Sequence, residues 1–166
     1  MMRSKDFKMM DVYYASGRYA GFINDILVDL SQNSVVGFSA VCSSFMVKTV
    51  NIFFSDIICY SCNMIISKTS KTDLLKLSSI KNMDITDRDG NMIGVLEDIL
   101  FDEESFKIKG AVVSSGYIYN FLKGKKVVLI NDLLIGDKNI LFLGNTEKIE
   151  FLSRPHKLNM EDDYNE

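Results

Sequence analysis

Apolar and polar residues alternate along this chain in short runs, the pattern of β-strands that are buried on one face. In the first half, the predicted strands cover residues 12–14, 19–29, 35–42, 50–54 and 64–66. In the second half, they cover residues 83–86, 92–101, 107–114, 127–130 and 140–143. Turn residues separate these runs about every 8–12 positions, which is typical of a small antiparallel barrel. Between the halves, Thr72 and Asp73 predict a capped helical turn over 74–77.

The second half repeats the first. Met-Asp at 10–11 recurs at 83–84, and the glycines at 17, 21 and 37 recur at 90, 94 and 110, always 73 residues later. Further on the offset is 76, which pairs Asp56 with Asp132 and Asn63 with Asn139. Glycines, turn acids and apolar runs that recur in one order indicate a duplicated structural unit. We predict an all-β fold of two tandem small antiparallel β-barrels, at 1–70 and 71–150, with a minor helical turn and a flexible acidic tail at 151–166.

Composition and charge narrow the function classes. The chain has 47% hydrophobic and 25% charged residues, as in an ordinary globular protein, and a net charge of −3. This acidic balance argues against direct nucleic-acid binding. The three cysteines and the absence of a signal-peptide pattern predict a cytoplasmic protein. The longest apolar stretch, near 52–60, is too short for a transmembrane segment.

The second half also carries an ordered set of spaced motifs. An apolar opening at 83–85 precedes an acidic turn at 87–90 and the segment Gly-Val-Leu-Glu-Asp-Ile-Leu at 94–100. These are followed by an acidic hairpin at 102–104, a strand at 108–113 and the turn Asn-Asp-Leu-Leu-Ile-Gly at 131–136. This pattern resembles the PRC-barrel domain family. The resemblance covers residues 73–145 well and residues 5–68 more weakly, through the internal repeat.

That family includes the cytoplasmic barrel of the photosynthetic reaction centre H subunit and the C-terminal barrel of the ribosome maturation factor RimM. It also includes the YlmC/YmxH-type sporulation-associated proteins. The resemblance implies a tandem PRC-barrel protein with no catalytic residues and no cofactor. We therefore expect a non-enzymatic protein-interaction or adaptor module whose protein partner is unknown, with homodimerisation as a further option. The alternatives are an accessory factor in RNA processing or ribosome maturation, by analogy with RimM, and a sporulation-associated role.

The candidate docking residues lie in one aromatic and basic loop. Tyr117, Tyr119 and Phe121 precede Lys123, in a segment that contains the three-residue excess of the second unit. Exposed aromatic and basic side chains of this kind can dock a protein partner or stack on RNA. The alternative for the same residues is packing between the two barrels.

Cys59 and Cys62 form the one sequence motif whose side chains could bind a metal or undergo redox chemistry. The Cys-x-x-Cys spacing can supply half of a zinc site or a redox pair. The only other cysteine is Cys42, and the only histidine is His156 in the tail. We therefore assign no metal, and favour a pair without a chemical role over a labile disulfide or a zinc shared between subunits.

Two acidic motifs suggest a catalytic site and a metal-binding site, respectively. Asp25 and Asp98 each follow a glycine by four residues and could form a carboxylate pair across a pseudo-twofold axis. The Asp-Thr-Gly or Asp-Ser-Gly sequence of such dyads is absent, so we favour carboxylates that bond the backbone near a bulge. Similarly, the turn 87–90 fails the calcium-loop spacing and predicts a hairpin. No nucleophile or phosphate-binding motif is present, so we expect no enzymatic activity.

Overall fold

The structure is a computed structural model that describes residues 1–42, 48–116, 125–145 and, for the backbone alone, 150–151. The strands of the first half are β1 (Met2–Arg3), β2 (Asp11–Tyr14), β3 (Tyr19–Asp29), β4 (Ser34–Cys42), β5 (Lys48–Phe53), β6 (Ile57–Tyr60) and β7 (Met64–Ile66). The short helix α1 (Leu77–Ile80) opens the second half. It is followed by β8 (Asp84–Thr86), β9 (Met92–Phe101), β10 (Ile108–Ser114), β11 (Lys126–Leu129), β12 (Leu133–Ile135), β13 (Asn139–Phe142) and β14 (Glu150–Phe151).

The strands form two sheets with corresponding strand orders. The first sheet runs β5-β4-β3-β2-β7-β6, and the second contains β11-β10-β9-β8-β13-β12, with β14 beside β11 and β1 beside β9. The predicted β-rich fold is therefore correct. The expectation of purely antiparallel barrels is not: β2 and β7 pair in parallel, as do β8 and β13, and neither sheet closes into a barrel within the described residues.

The parallel pairs follow from a turn in each half. Residues Phe54–Asp56 form a 3-10 turn between β5 and β6, which lie at opposite edges of the first sheet. Because so short a turn joins the two edges, they lie close together, and the β6–β7 hairpin pairs with β2 in the same direction. Residues Ile130–Asp132 repeat this turn between β11 and β12, 76 positions later. The pattern of apolar positions predicted neither β6 nor β12, because both are short strands at a sheet edge.

The segment that precedes each half pairs with the sheet of the other half. Arg3 in β1 pairs with Leu100 in β9, and Lys76 forms an equivalent bridge to Leu27 in β3. Arg3 and Lys76 are 73 positions apart, and so are Leu27 and Leu100. In the first pair the segment before the first half joins the second sheet, and in the second pair the segment before the second half joins the first sheet. The two segments are thus exchanged between the sheets. The division predicted at residue 70 stays a prediction, since this exchange ties the two sides together.

The hairpin tips add a second reciprocal contact. Val35 donates its backbone N–H to the carbonyl of Phe106 at 2.9 Å, and Ile108 donates to the carbonyl of Asn33 at 2.8 Å. These two bonds are again related by 73 positions. The ring of Phe106 stacks on that of Phe54, with 3.6 Å between ring centroids. One hydrophobic core therefore contains buried residues from both halves.

The linking segment differs from its prediction. The helical turn expected over 74–77 instead begins at Leu77, with Lys76 as the residue before it, and no side chain caps its first turn. Leu75 accepts a hydrogen bond from the N–H of Val28, at 2.9 Å. Residues before 77 are extended because they pair with β3, and tertiary pairing overrides the local capping signal.

Gly21 allows two strands to approach closely beside a β-bulge. The bulge shifts the pairing of β2 with β3 next to Gly21, as the sequence predicted, and the glycine has φ +136°. A Cβ atom built there would lie 2.1 Å from the carbonyl oxygen of Val41. Any side chain would therefore push the backbones of β3 and β4 apart.

We expect Gly21→Ala to lower the free energy of unfolding by about 3 kcal/mol, from the clash and the left-handed backbone conformation together. The matched control is Gly17→Ala, where φ is +79° but no atom lies within 4 Å of the added Cβ. That substitution costs about 1 kcal/mol, because only the conformational strain applies. Urea denaturation followed by circular dichroism measures both, and equal losses would show that the close approach is unimportant.

Candidate protein-interaction site

The β12–β13 hairpin ends one side of the second sheet. Its two strands pair antiparallel in unbroken register, with Leu134 opposite Leu141. Within the described part of the chain, β13 is the one strand neighbour of β12. The outer backbone of β12 is therefore a sheet edge at which another strand can be added.

An apolar strip runs across the outer face of this hairpin. Leu134 is 59% exposed and Leu143 is 38% exposed, while Leu141 between them is half-buried. Leu143 directly follows β13 and donates its backbone N–H to the carbonyl of Asp132 at 2.7 Å, which continues the pairing of the hairpin. We call Leu134, Leu141 and Leu143 the edge patch. No charged residue occurs within β12, although charges commonly protect sheet edges from pairing.

The corresponding edge of the first sheet has a different shape. β6 occupies the position of β12, and Ile58 takes the place of Leu134, with 57% of its surface exposed. However, the pairing of β6 with β7 shifts between Ile57 and Cys59, so that Ile58 is the extra residue of a bulge. Bulges twist an edge away from a straight partner. The regular edge at β12 is therefore the better template for strand addition.

A second exposed apolar surface lies at the far end of β3. Val28, Leu30, Phe53 and Leu75 line an open groove of about 480 Å³. In the second half, Glu103 replaces Leu30, which is 73 positions earlier. The fold that the two halves share therefore does not require an apolar residue at this position. The groove is the second surface to consider for binding.

Asp98 holds the exchanged N-terminal segment in place. Its carboxylate is 3% exposed and accepts hydrogen bonds from the N–H of Ile99 at 2.9 Å and of Ser4 at 3.3 Å. Arg3 Nε lies 3.4 Å from one carboxylate oxygen, and Lys81 Nζ lies 3.8 Å from the other. A buried carboxylate with two cations and two N–H donors has its charge well compensated. Asp98 is therefore a structural anchor between the halves.

Asp25 plays the equivalent part in the first half. It accepts from the N–H of Ile26 at 2.8 Å and from that of Ser78 at 3.2 Å, at the start of α1. These bonds agree with the predicted role of both acids in bonding the backbone near a bulge. Asp25 also lines a cavity of about 70 Å³ with Lys8 and Asn24, whose buried Oδ1 lacks a protein partner among the described residues. The cavity has room and polar groups for bound water.

The acidic turn at 87–90 is held by its own side chain. Asp87 Oδ1 accepts from the N–H groups of Asp89 and Asn91, and its Oδ2 accepts from the Asn91 side chain at 3.0 Å. The Asn91 side-chain hydrogen bond is the main cause that lowers the pKa of Asp87. All of these donors stabilise a hairpin turn and not a cation, in agreement with the hairpin prediction.

Cys59 and Cys62 are free and exposed, at the turn between β6 and β7. The N–H of Ser61 donates to the carbonyl of Asn63 at 3.0 Å, which closes the turn. The described residues include no group of three or more histidine, cysteine, aspartate or glutamate side chains that could hold a metal ion. Cys42, which is half-buried at the end of β4, therefore does not join the pair in a three-ligand site.

The predicted docking residues Tyr117, Tyr119, Phe121 and Lys123 lie outside the described residues, so their role stays a prediction. The edge patch was missed, because Leu134 was assigned to a turn and Leu141 and Leu143 to an ordinary strand, and only the strand order placed β12 at an edge. Residues 140–143 are all apolar, so the sequence carried no signal that Leu141 faces outward. The partners of Asp98 carried no local signal, since Arg3 and Asp98 are distant in the sequence.

Comparison with known proteins identifies one domain. Residues 72–140 match the PRC-barrel domain, which supports the family resemblance for the part of the chain from α1 into β13. A search of curated proteins finds no match. Among the described residues, no helix has the length and apolar character needed to cross a membrane.

Proposed function

We propose that this chain is a non-enzymatic protein-interaction module made of two PRC-type units, and that it binds an extended segment of a partner protein at β12. The observation that carries the proposal is the regular, uncharged edge of β12 beside the exposed Leu134. We place this module in the cytoplasm, in keeping with its three cysteines, which suit a reducing compartment.

Strand addition accounts for both affinity and selectivity at this edge. Main-chain hydrogen bonds to the outer side of β12 recognise any extended peptide. Selectivity comes from the edge patch, because alternate apolar side chains of the peptide can pack on Leu134 and Leu143. The preferred partner segment therefore alternates apolar and polar residues. Binding of this kind needs no catalytic residue and no cofactor.

The assignment of a second PRC-type unit to the first half rests on equivalence of position. The first sheet has the strand order of the second. Asp25 and Asp98, 73 residues apart, each accept one bond from the next residue and one from the other half. Each unit contributes a segment to the sheet of the other, so the chain behaves as two fused copies of one domain. This exchange and the shared core tie the two sheets to each other.

Replacing Leu134 with Lys should reduce partner capture at least tenfold. Lys adds a charge to the edge and removes an apolar contact, and charged residues oppose strand addition. The measurement is a pull-down from native lysate, quantified by mass spectrometry against the unmodified chain. Met92→Lys is the matched control, because Met92 is 63% exposed but lies on β9, which has neighbours on both sides.

Two further variants distinguish other outcomes. Loss of capture with Leu75→Lys but not with Leu134→Lys would move the binding site to the apolar groove beside β3. Equal capture by all of these variants would contradict binding at either surface. A parallel pull-down after ribonuclease treatment tests the ribosome-maturation alternative: ribosomal proteins that nuclease disperses would favour it, whereas a nuclease-resistant partner would support the adaptor.

A further inference from the structure

The turn between β6 and β7 carries two thiols that the fold does not need. Cys59 and Cys62 are both exposed, whereas cysteine is ordinarily among the most buried residues. The equivalent positions of the second half, 76 residues later, hold Ile135 and Lys138. The same hairpin thus forms without cysteine, and packing does not explain the pair.

The spacing of the two cysteines suits a tetrahedral metal ion. Two cysteines separated by two residues on a tight turn supply half of a four-cysteine zinc site. Here the bond from Ser61 to Asn63 closes the turn between the strands, with Cys59 in β6 and Cys62 in the turn. The described part of one chain supplies only these two ligands, since no larger group of potential ligands occurs there.

A second copy of the chain can supply the other two. No charged residue occurs in the ten residues 57–66, although a quarter of the whole chain is charged. Two such hairpins can therefore meet across a twofold axis without charge repulsion. The exposed Ile58, next to Cys59, provides an apolar contact beside the metal. Its bulge disfavours direct strand pairing, so a metal ion and not a continuous sheet would join the copies.

We propose that a zinc ion bridges two copies of this chain through Cys59 and Cys62 of each. All four thiols release their protons to solvent when they bind, and the zinc is held by four thiolates with no change of oxidation state. Assembly through this site would leave β12 free on each copy. The proposal is independent of partner binding at β12, since the two edges lie on different sheets.

The test is zinc stoichiometry measured together with molar mass. Protein purified under reducing conditions and equilibrated with zinc chloride should be a dimer with about 0.5 zinc per chain, and a chelator should return it to a monomer. Cobalt substitution should give the absorption of a tetrahedral thiolate site. Cys59→Ser and Cys62→Ser should each abolish the dimer and the zinc, whereas Cys42→Ser should preserve both.

Three results would overturn the proposal. A zinc-free monomer at millimolar zinc would exclude the site. One zinc per monomer would place the remaining ligands within a single chain, with His156 as the first to test. A dimer that survives both the chelator and Cys59→Ser would show that another surface joins the copies. Unchanged thermal unfolding of the serine variants provides the folding control, because both side chains are exposed.

Discussion

Replacing Asp98 with Ala should lower the free energy of unfolding by about 3 kcal/mol, which is the cost of breaking a buried ion pair. The change leaves the N–H groups of Ser4 and Ile99 without their carboxylate partner. It also removes the nearer of the two carboxylates beside Arg3, which keeps Glu97 at 3.7 Å. We take the low end of the range because Lys81 retains 33% side-chain exposure and can be solvated. Chemical denaturation followed by circular dichroism measures the loss, since the chain has no tryptophan.

The matched control for this change is Asp25→Ala. Asp25 makes the corresponding bonds to Ile26 and Ser78, but it is half-buried and forms no ion pair among the described residues. We expect a loss of about 1 kcal/mol, the usual worth of such hydrogen bonds. If the two alanine variants lose the same stability, the cations around Asp98 do not contribute as argued.

Replacing Phe7 with Ala should have a comparable or larger effect, about 3–5 kcal/mol, as for other large core side chains. Phe7 is 1% exposed and lies in the segment between β1 and β2. Its ring centroid is 4.6 Å from that of Phe38 in the first sheet and 6.0 Å from that of Phe101 in the second. One side chain therefore supports both sheets, and both should unfold together in a single transition.

The nearby substitution Met9→Ala is the control for Phe7, because Met9 is 63% exposed. It should change stability by no more than about 0.5 kcal/mol. Two separate transitions in the unmodified chain, with Phe7→Ala affecting only one of them, would contradict a core shared between the halves.

The long strands and their turns could be predicted from the sequence for a definite physical reason. β3 and β9 are long enough to show alternation. Gly21 and Gly94, within these strands, occupy positions where an added Cβ would clash with a backbone carbonyl. Gly21 illustrates this: its bulge was predicted from its place within an apolar run, and the carbonyl of Val41 shows why no larger residue can replace it. Such local requirements leave a direct mark on the sequence.

Contacts between distant segments produce no comparable local pattern in the sequence. The pairing of β1 with β9 joins residues nearly a hundred positions apart, and a two-residue strand is too short for any periodicity. The exposure of Leu134 likewise depends on which strand ends the sheet, which local alternation does not specify. The cysteine pair and its uncharged surroundings were visible in the sequence, but the exposure of both thiols became clear only in the structure.

The most direct test of the interaction module is hydrogen–deuterium exchange of the chain with and without its captured partner. Strand addition forms new main-chain hydrogen bonds at the edge, so the amides of β12 should exchange at least tenfold more slowly in the complex. Those of β9, in the sheet interior, should be unchanged. Protection elsewhere, with β12 exchanging as in the free chain, would contradict the proposed mode of binding.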